Sequence, residues 1–557
     1  MFSLFQIANR DDPLTNPKSM RLWVSNLPAN DPVGAVETMI DLLESPLTTE
    51  SYFSASRLQA ILELDRLSAP LQERLQAQHR VPALSDDVRE RLWRACDNLA
   101  HSFALVYERI CDELGAQKPG DRPHAALHGV FARLFFHVGV QARHGLFRYE
   151  QWIPGRWRAL HRAYTVACKH AVVAEPYVLD PAANELHPLS PEQEYLQILL
   201  VQQLNTGNLS AHQIELAAQW LREWVPQLRL AILQPDGDGY WLDLGQGNGL
   251  LPVPPELPKG ELLYLDVGPL RERLNERLAQ LAAGAAGQGS AGSRHPELGE
   301  QLDLAQRLDA LWLPSAPPRS RRGERRAEQR AVTVAIGWKD IASTVSLSQT
   351  ATARNQNAPD GYQYDDYGRL RLNDARRPAL PGNRAPGRDV WQVHDASDSG
   401  FRVRSSPALM AGHRLGALLV LEIEGDKRWQ VGIVRRLKKL NAEQIELGVE
   451  VIARNAWLVI PRSLDNRSSG YSVDGIDIGL KAKSFNALYL PGQPRLRGGA
   501  RPSLVLPPSE FTVGRSLSVH VASRHHDIVL APPIERSKDW VWTPLALDSE
   551  DRSDRLE

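Results

Sequence analysis

Cysteine is scarce in this chain of 557 residues, and long apolar runs are missing. The three cysteines, Cys96, Cys111 and Cys168, are too few for a disulfide framework, and their spacing matches no zinc module. The longest apolar runs, such as residues 417–421, fall far short of the ~20 residues that span a bilayer. Residues 1–12 lack the basic segment of a secretory signal. We therefore expect a cytoplasmic protein with no transmembrane segment.

An excess of charge of either sign is also missing, because 65 Lys and Arg residues are balanced by 66 Asp and Glu residues. This balance excludes overall charge as the means of finding nucleic acid or membranes, and we expect no DNA partner. Hydrophobic residues make up 43% of the chain and charged residues 24%, which is typical of a globular protein. The length corresponds to about three to four domains.

Residues 1–225 have the apolar periodicity of helices, and we expect a helical domain there. The clearest helix begins after Ser85, and further helices begin after Ser190 and Ser210, each serine being a good N-cap. In the helix after Ser85, apolar residues recur every three or four positions: Val88, Leu92, Cys96, Leu99, Phe103, Val106 and Ile110. Because Cys96 belongs to this stripe, we interpret it as a core residue and not as a nucleophile.

A small α/β segment is expected over residues 226–283. The runs LRLAIL and YWLDL predict two strands joined by a hairpin turn through residues 236–239, and ELLYLDV predicts a third strand before a helix. Residues 284–324 are predicted to be a linker, because residues 284–293 are small and residues 314–330 are rich in proline and arginine. One short helix is expected within that linker, around residues 298–311.

The chain after residue 324 has the pattern of antiparallel β-structure, with short β-branched or aromatic runs separated by turn residues. We predict a β-barrel over residues 325–465, with a polar, mobile insertion at residues 346–388. Residues 466–547 are predicted to be a β extension, and residues 548–557 a disordered tail. The predicted fold class is therefore α+β and multidomain.

A glycine-rich segment, LDLGQGNGL at residues 242–250, is similar to the first motif of class I methyltransferases. In that motif a strand leads into a glycine turn, and a helix follows at once to complete the nucleotide site. Here the next residues are LPVPPELPKGE, whose prolines cannot open a helix. We interpret the segment as a turn between strands, and a methyltransferase is a distant alternative.

Other motifs of catalysis are missing from the sequence. His525, His526 and Asp527 could suggest a metal site, but neighbouring strand residues point to opposite faces, so a surface pair is the better interpretation. The HExxH, GxSxG, P-loop and kinase motifs are absent. We expect no catalytic residues, no metal, no cofactor and no enzymatic activity.

Arginine is concentrated just before the predicted barrel, at Arg319, Arg321, Arg322, Arg325, Arg326 and Arg330. By itself this cluster could be a solvated linker or a patch for nucleic acid. A second motif, Asp-x-Ser-x-x-Gly, follows at Asp395, Ser397 and Gly400, in a tight turn between the predicted strands VWQV and FRVR.

Together the two motifs resemble the PilZ domain, the bacterial receptor module for cyclic di-GMP. The family's Arg-x3-Arg motif corresponds to Arg326 and Arg330, directly before the strand AVTVAIGW, and its Asp-x-Ser-x-x-Gly motif to residues 395–400. The run LGVEV at residues 447–451 is similar to a late strand of that barrel. The resemblance covers residues 325–460. It implies a binding site in which the nucleotide contacts both motifs.

The chemistry of these side chains agrees with the resemblance. Arginine can form paired bonds to a phosphate or to the O6 and N7 edge of guanine, or can stack on the purine. A carboxylate such as Asp395 can accept from guanine N1–H and N2–H2, Ser397 can add a hydroxyl bond, and Gly400 permits a sharp turn. Arg322 and Arg325 are also candidates, since Arg321/Arg325 and Arg322/Arg326 have the same spacing. The distance to Asp395 is longer than is usual in the family, which we attribute to the polar insertion.

We therefore predict a cyclic di-GMP effector, in which the nucleotide alters how the helical region engages a protein partner. The resemblance implies regulation of surface attachment, pilus-based or flagellar motility, or exopolysaccharide. The alternative is a PilZ-like interaction scaffold that has lost the nucleotide.

Overall fold

The computed structural model describes residues 12–45, 54–79, 84–115, 124–178, 188–234, 239–253, 262–287, 296–313, 325–346, 362–364, 370–372, 389–406, 414–423, 426–441, 443–464, 484–521 and 524–547. The chain divides into two compact units, residues 1–319 and residues 320–557. The first unit is mainly helical, and the second contains a closed β-barrel and a curled C-terminal sheet. The predicted class, α+β and multidomain, is confirmed.

Helices form most of the first unit, in the order α1 to α8: Pro17–Ser25, Pro32–Glu44, Ala55–His79, Asp86–Gly115, His124–Phe147, Pro154–Lys169, Pro191–Gln202 and Ala211–Trp224. The predicted starts are confirmed. Ser190 and Ser210 each accept a bond from the backbone N–H three residues later and form capping boxes with Gln193 and Gln213. The apolar stripe of α4 is buried from Leu92 onward, but Val88 is 45% exposed, because the first turn of the helix extends beyond its neighbours.

A four-stranded antiparallel sheet completes the first unit, with strands β1 Leu230–Ala231, β2 Gly239–Asp243, β3 Leu251–Pro252 and β4 Leu262–Asp266 in the order β1-β4-β2-β3. The predicted hairpin between β1 and β2 is wrong, since β1 pairs with β4. The run LRLAIL leaves the sheet after Ala231, and Ile232 and Leu233 are 80% and 82% exposed. Strand β1 is therefore too short to form the predicted hairpin with β2. Residues 235–238 of the predicted turn lie outside the described residues.

The glycine-rich segment is a turn between β2 and β3, as predicted, and it packs directly on α6. A Cβ atom on Gly249 would lie 2.7 Å from the ring of Trp157, and one on Gly247 would lie 2.7 Å from Pro154. His161 on the same helix forms a hydrogen bond of 2.7 Å with the carbonyl of Asn248. The glycines therefore serve close packing, and no nucleotide fits between the turn and the helix.

Two further helices, α9 Gly268–Gly287 and α10 Pro296–Trp312, follow the small sheet. Residues 284–287 of the predicted linker continue α9, and a Cβ atom on Gly284 would be in ordinary contact with Leu298 of α10. Trp312 is fully buried and donates its indole N–H to the carbonyl of Leu200 at 3.1 Å. The predicted short helix thus packs as part of the helical core, because it lies against α8 and α9.

A buried carboxylate, Asp65 on α3, joins three helices of the first unit. Arg133 on α5 makes two bonds of 2.9 Å to it, and the Nε2 of His137 and the hydroxyl of Tyr107 each lie 2.9 Å from Oδ2. Burial alone would raise the pKa of Asp65, but Arg133 and His137 hold it well below its usual range. Burial lowers the pKa of His137, so that the imidazole is neutral and donates from Nε2. This arrangement fixes α3, α4 and α5 to one another.

The neutral histidine predicts that acid destabilises the helical unit. Because the folded-state pKa of His137 is below its unfolded value of about 6.5, the unfolded chain takes up a proton that the folded chain does not as the pH falls through that value. The free energy of unfolding should then fall by up to about 1.4 kcal/mol per pH unit for this group. Urea unfolding followed by helical circular dichroism at several pH values measures the slope.

The matched variants for this test are His137→Gln, whose amide can still donate to Asp65, and His101→Gln, an exposed position on α4. The first should reduce the slope and the second should leave it unchanged. The slope should not vanish in His137→Gln, since burial also lowers the pKa of His161. An equal slope in all three proteins would contradict the assignment of His137.

The barrel strands and the chain between them are, in order, β5 Arg326–Ile336, helix α11 at 338–346, β6 Tyr362–Tyr364, β7 Leu370–Leu372, β8 Asp389–Ser397, β9 Gly400–Ser405, β10 Leu418–Ile423, β11 Asp426–Lys439 and β12 Ile445–Ala453. Six of these strands close an antiparallel barrel in the cyclic order β5-β8-β9-β12-β11-β10. Strands β6 and β7 pair with each other, because their aromatic and aliphatic residues alternate with polar ones. The predicted insertion therefore contains a short hairpin; its other residues from 347 onward lie outside the described ones.

The C-terminal sheet contains β13 Trp457–Val459, β14 Arg462–Ser463, β15 Ala487–Leu490, β16 Ser503–Leu506, β17 Ser516–Val521, β18 Arg524–Leu530, β19 Glu535–Arg536 and β20 Val541–Leu547. Its order is β13-β15-β16-β20-β18-β17-β14, with β19 beside β20. The two end strands, β13 and β14, are consecutive in the chain, so the sheet must curl. Strand β13 was predicted inside the barrel domain but pairs with β15. The predicted tail at 548–557 lies outside the described residues.

The barrel and the C-terminal sheet share one hydrophobic core. Leu418 and Val420 of β10 belong to the same buried cluster as Leu488 and Trp542 of the C-terminal sheet. The alternate residues of β10, Leu419 and Leu421, are also fully buried. Strand β10 is thus covered on both faces, which explains the continuous apolar run at 417–421.

A shared core predicts that a cavity in the C-terminal sheet weakens the barrel. Trp542→Ala removes a fully buried indole that donates to Ser503 at 2.9 Å, and it should cost about 3–5 kcal/mol. Hydrogen exchange of the β10 amides should accelerate accordingly. Trp457→Ala, at a residue 40% exposed, is the control and should change exchange little. Unchanged exchange in β10 in Trp542→Ala would show that the barrel is stabilised independently.

Candidate functional site

The Asp-x-Ser-x-x-Gly segment forms the turn between β8 and β9, as predicted. Ser397 pairs with Gly400 across a two-residue turn, and its hydroxyl donates to the Gly400 carbonyl at 3.3 Å. A Cβ atom on Gly400 would lie only 2.4 Å from the Val449 carbonyl oxygen of β12. Glycine is therefore required at this position by close backbone approach. The tip is held further by Arg454, which donates to the Asp398 carbonyl at 2.8 Å.

The two arginines assigned to the Arg-x3-Arg motif lie inside β5, whereas the sequence placed them before it. The strand begins at Arg326, which pairs with Ala396, and Arg330 pairs with Val393. Strand β5 starts early because β8 runs on to Ser397 and pairs with Arg326, Ala327 and Arg330. Arg326 is exposed, whereas Arg330 is half-buried, with its guanidinium 6.0 Å from the centre of the Phe401 ring. Arg330 also lies 3.2 Å from Glu328.

Asp395 is the charged centre of the site. Its side chain is only 10% exposed and is bound by two arginines: Arg325 donates to Oδ1 at 2.9 Å, and the Nε of Arg402 lies 2.6 Å from Oδ2. Arg325 stands directly before β5, and Arg402 lies in β9. Both guanidinium groups are about half exposed, so the cluster opens to solvent through the arginines.

Irregular pairing on both sides of β8 creates this arrangement. Between Val393 and Asp395 the ladder to β9 shifts by one residue, so that Asp395 lies opposite Arg402 instead of Phe401. The ladder to β5 shifts at the same place, where two residues of β5, Glu328 and Gln329, lie opposite one residue of β8, His394. Bulges of this kind redirect side chains, and they are frequent beside functional sites.

Sequence reasoning found Arg325, Arg326, Arg330, Asp395, Ser397 and Gly400, and the structure gathers all of them at the adjoining ends of β5, β8 and β9. It did not identify Arg402. The available signal was the alternation of arginine with apolar residues in GFRVRS, which places Arg402 on the polar face of β9. Arg322, together with Arg319 and Arg321, lies outside the described residues.

Metal sites and membrane-spanning helices are absent from the described residues. Among the residues that the structure describes, no group of three His, Cys, Asp or Glu side chains could hold a metal ion. His525 instead lies 2.6 Å from the Ser518 hydroxyl on the neighbouring strand. Within the same described ranges, the helices are all too short or too polar to cross a bilayer.

Comparison with known proteins locates the similarity in the first unit. Residues 18–236 match the family model described as "Cyclic-di-GMP receptor FimW, N-terminal domain". No curated protein and no solved structure was found to match the chain. The expected family lay in residues 325–460, and the family found lies in the helical region, so that part of the expectation is corrected. The general expectation of a cyclic di-GMP receptor is supported, because the N-terminal region is similar to a domain of such receptors.

Proposed function

We propose that this protein is a cyclic di-GMP effector whose barrel binds the nucleotide at the arginine and aspartate cluster around Asp395. The observation that carries the proposal is the match of residues 18–236 to a cyclic di-GMP receptor family. That match is independent of the two barrel motifs, which by themselves resemble the PilZ domain. Two different regions of one chain thus point to the same ligand.

The geometry supplies a role for each side chain. Arg326 is exposed at the start of β5 and free to bond a phosphate, and Arg330 beside Phe401 forms a flat cationic surface for a purine. Asp395 would accept from the N1–H and N2–H2 groups of guanine. Since Ser397 donates to its own turn, its main role is to hold the turn that presents Asp395.

Binding requires Arg325 to move. The carboxylate of Asp395 is largely covered, and Arg325 occupies Oδ1. Arg325 is 51% exposed and precedes the first paired residue of β5, so it can leave without disturbing the barrel. A dianionic nucleotide would draw this guanidinium from the carboxylate to a phosphate.

The nucleotide need not draw Arg326 and Arg330 onto the barrel. Both arginines already belong to β5. Arg325 precedes the first paired residue of β5, and in the sequence it follows the helical region. We propose that the movement of Arg325 alters how the helical region engages a cytoplasmic protein partner in attachment, motility or exopolysaccharide control.

A second candidate function is an interaction scaffold that does not bind the nucleotide. The observation that favours it is the saturation of Asp395 by two arginines, since a carboxylate that is already paired has less to gain from guanine. A methyltransferase has no comparable support, because the glycine-rich turn packs on Trp157 and Pro154.

Calorimetric titration with cyclic di-GMP tests the proposal. Arg326→Ala and Arg330→Ala should each weaken binding by about 2–4 kcal/mol, because each removes a charge-assisted contact. Asp395→Ala should relax the preference for guanine, so that cyclic di-AMP competes better. Arg501→Ala, at an exposed position before β16, is the charge-matched control and should have little effect.

Each alternative has its own outcome in this titration. If the unsubstituted protein binds no cyclic dinucleotide, the scaffold is the better assignment. Equal binding by the parent, Arg326→Ala and Arg330→Ala would place the nucleotide elsewhere on the chain.

A further inference from the structure

We propose that Arg402, which belongs to neither motif, sets the selectivity of the site for guanine by holding the carboxylate of Asp395 in one orientation. The inference rests on the proposed nucleotide function of the same site. It assigns to Arg402 a positioning role, in which Arg402 acts through Asp395 and does not itself recognise the base.

The first observation is the unequal attachment of the two arginines to Asp395. Arg325 stands before β5 and has no ladder partner, whereas Arg402 is paired with Asp395 on one side and with Gly448 of β12 on the other. Two ladders therefore fix the backbone of Arg402. When a base displaces Arg325 from Oδ1, Arg402 remains on Oδ2.

The second observation is the surroundings of the carboxylate. The charged groups nearest to Asp395 are Arg325 before β5 and Arg402 on β9; Glu446 of β12 lies beyond Arg402, 3.9 Å from its Nη1. Arg330 and Glu328 on β5 pair with each other, and His394 is the neighbour of Asp395 in β8. With Arg325 displaced, Arg402 is the guanidinium still bound to a carboxylate that is 10% exposed. Loss of that partner would leave the carboxylate free to turn away from the base.

The orientation of the carboxylate decides how well it fits each base. A carboxylate offers two acceptors, which match the N1–H and N2–H2 donors of guanine. Adenine presents an N1 acceptor at the same edge, which a carboxylate cannot bond. Loss of Arg402 should therefore shift the preference from guanine toward adenine, and a general loss of affinity is not the expected effect.

The chain contains a matched control in Arg404, two residues further along the same face of β9. Arg404 has an exposure similar to that of Arg402, 38% against 43%, and it lies 3.8 Å from Glu446. Its cross-strand partner in β8 is Gln392, so it lies two ladder pairs away from Asp395. Arg402→Gln and Arg404→Gln thus remove the same charge from the same strand, but only the first removes a partner of Asp395.

The experiment measures the affinities for cyclic di-GMP and cyclic di-AMP by calorimetry in the full-length protein and in Arg402→Gln, Arg402→Lys and Arg404→Gln. Arg402→Gln should lower the ratio of the two affinities by about tenfold or more, because guanine loses paired bonds that adenine does not make. Arg402→Lys should restore most of the ratio, since it keeps the charge, and Arg404→Gln should change the ratio by less than about twofold. Circular dichroism confirms that each variant is folded.

The outcomes separate the inference from the proposal on which it rests. If the unsubstituted protein binds cyclic di-GMP and the two glutamine variants keep the same ratio, the role of Arg402 is refuted and the proposed function stands. If Arg402→Gln binds both nucleotides more weakly by the same factor, Arg402 contributes charge without selectivity, and the inference is again refuted. If the unsubstituted protein binds neither nucleotide, the proposed function fails, and a role for Arg402 in guanine selectivity fails with it.

Discussion

Strand β5 closes the barrel, so it has to satisfy two ladders at once, one with β8 and one with β10. Its central residues, Val332 and Val334, are buried, and the strand cannot slide by one residue without turning them outward. The polar stretch Arg326–Arg330 is therefore held in place by closure of the barrel more than by its own side chains. The position of both motif arginines follows from this constraint.

The constraint also explains the bulges at Asp395. Strand β8 is paired with β5 on one side and β9 on the other, and both ladders shift at the same point. A regular strand would have set Asp395 against Phe401 in the apolar interior, where a carboxylate is costly. The shift sets it against Arg402 and within reach of Arg325. A local irregularity thus converts the end of a core strand into a charged site.

The two units of the chain hold their charges in opposite ways. In the helical unit, Asp65 is sealed in the core with Arg133, and it fixes three helices. In the barrel, Asp395 is covered by arginines that are themselves half exposed. The first arrangement is costly to disturb, because it would leave a buried charge unpaired. The second leaves both arginines open to solvent, as the proposed exchange of Arg325 for a ligand requires.

The barrel is stabilised by the C-terminal sheet, which contains none of the motifs recognised in the sequence. The C-terminal sheet covers β10 and contributes Trp542 to the common core, and Glu535 of β19 makes paired bonds of 2.6 and 2.7 Å to Arg435 of β11. The site end of the barrel is attached to the same sheet region, because Arg454 holds the turn tip and its backbone N–H bonds Gln493.

The sequence by itself determined the elements and most of the site. Helix starts at Ser190 and Ser210, the strands of the barrel, the turn at Ser397–Gly400 and the choice of Asp395 follow from local rules of capping, alternation and turn chemistry. Such rules depend on neighbours in the chain, which a sequence displays. Tertiary structure decided the pairing of β1 with β4, the membership of Arg326 in β5, the second face of β10 and the partnership of Arg402 with Asp395. Each of these depends on contacts between distant segments of the chain. The last also depends on a one-residue shift of register, which no pattern in the sequence indicates.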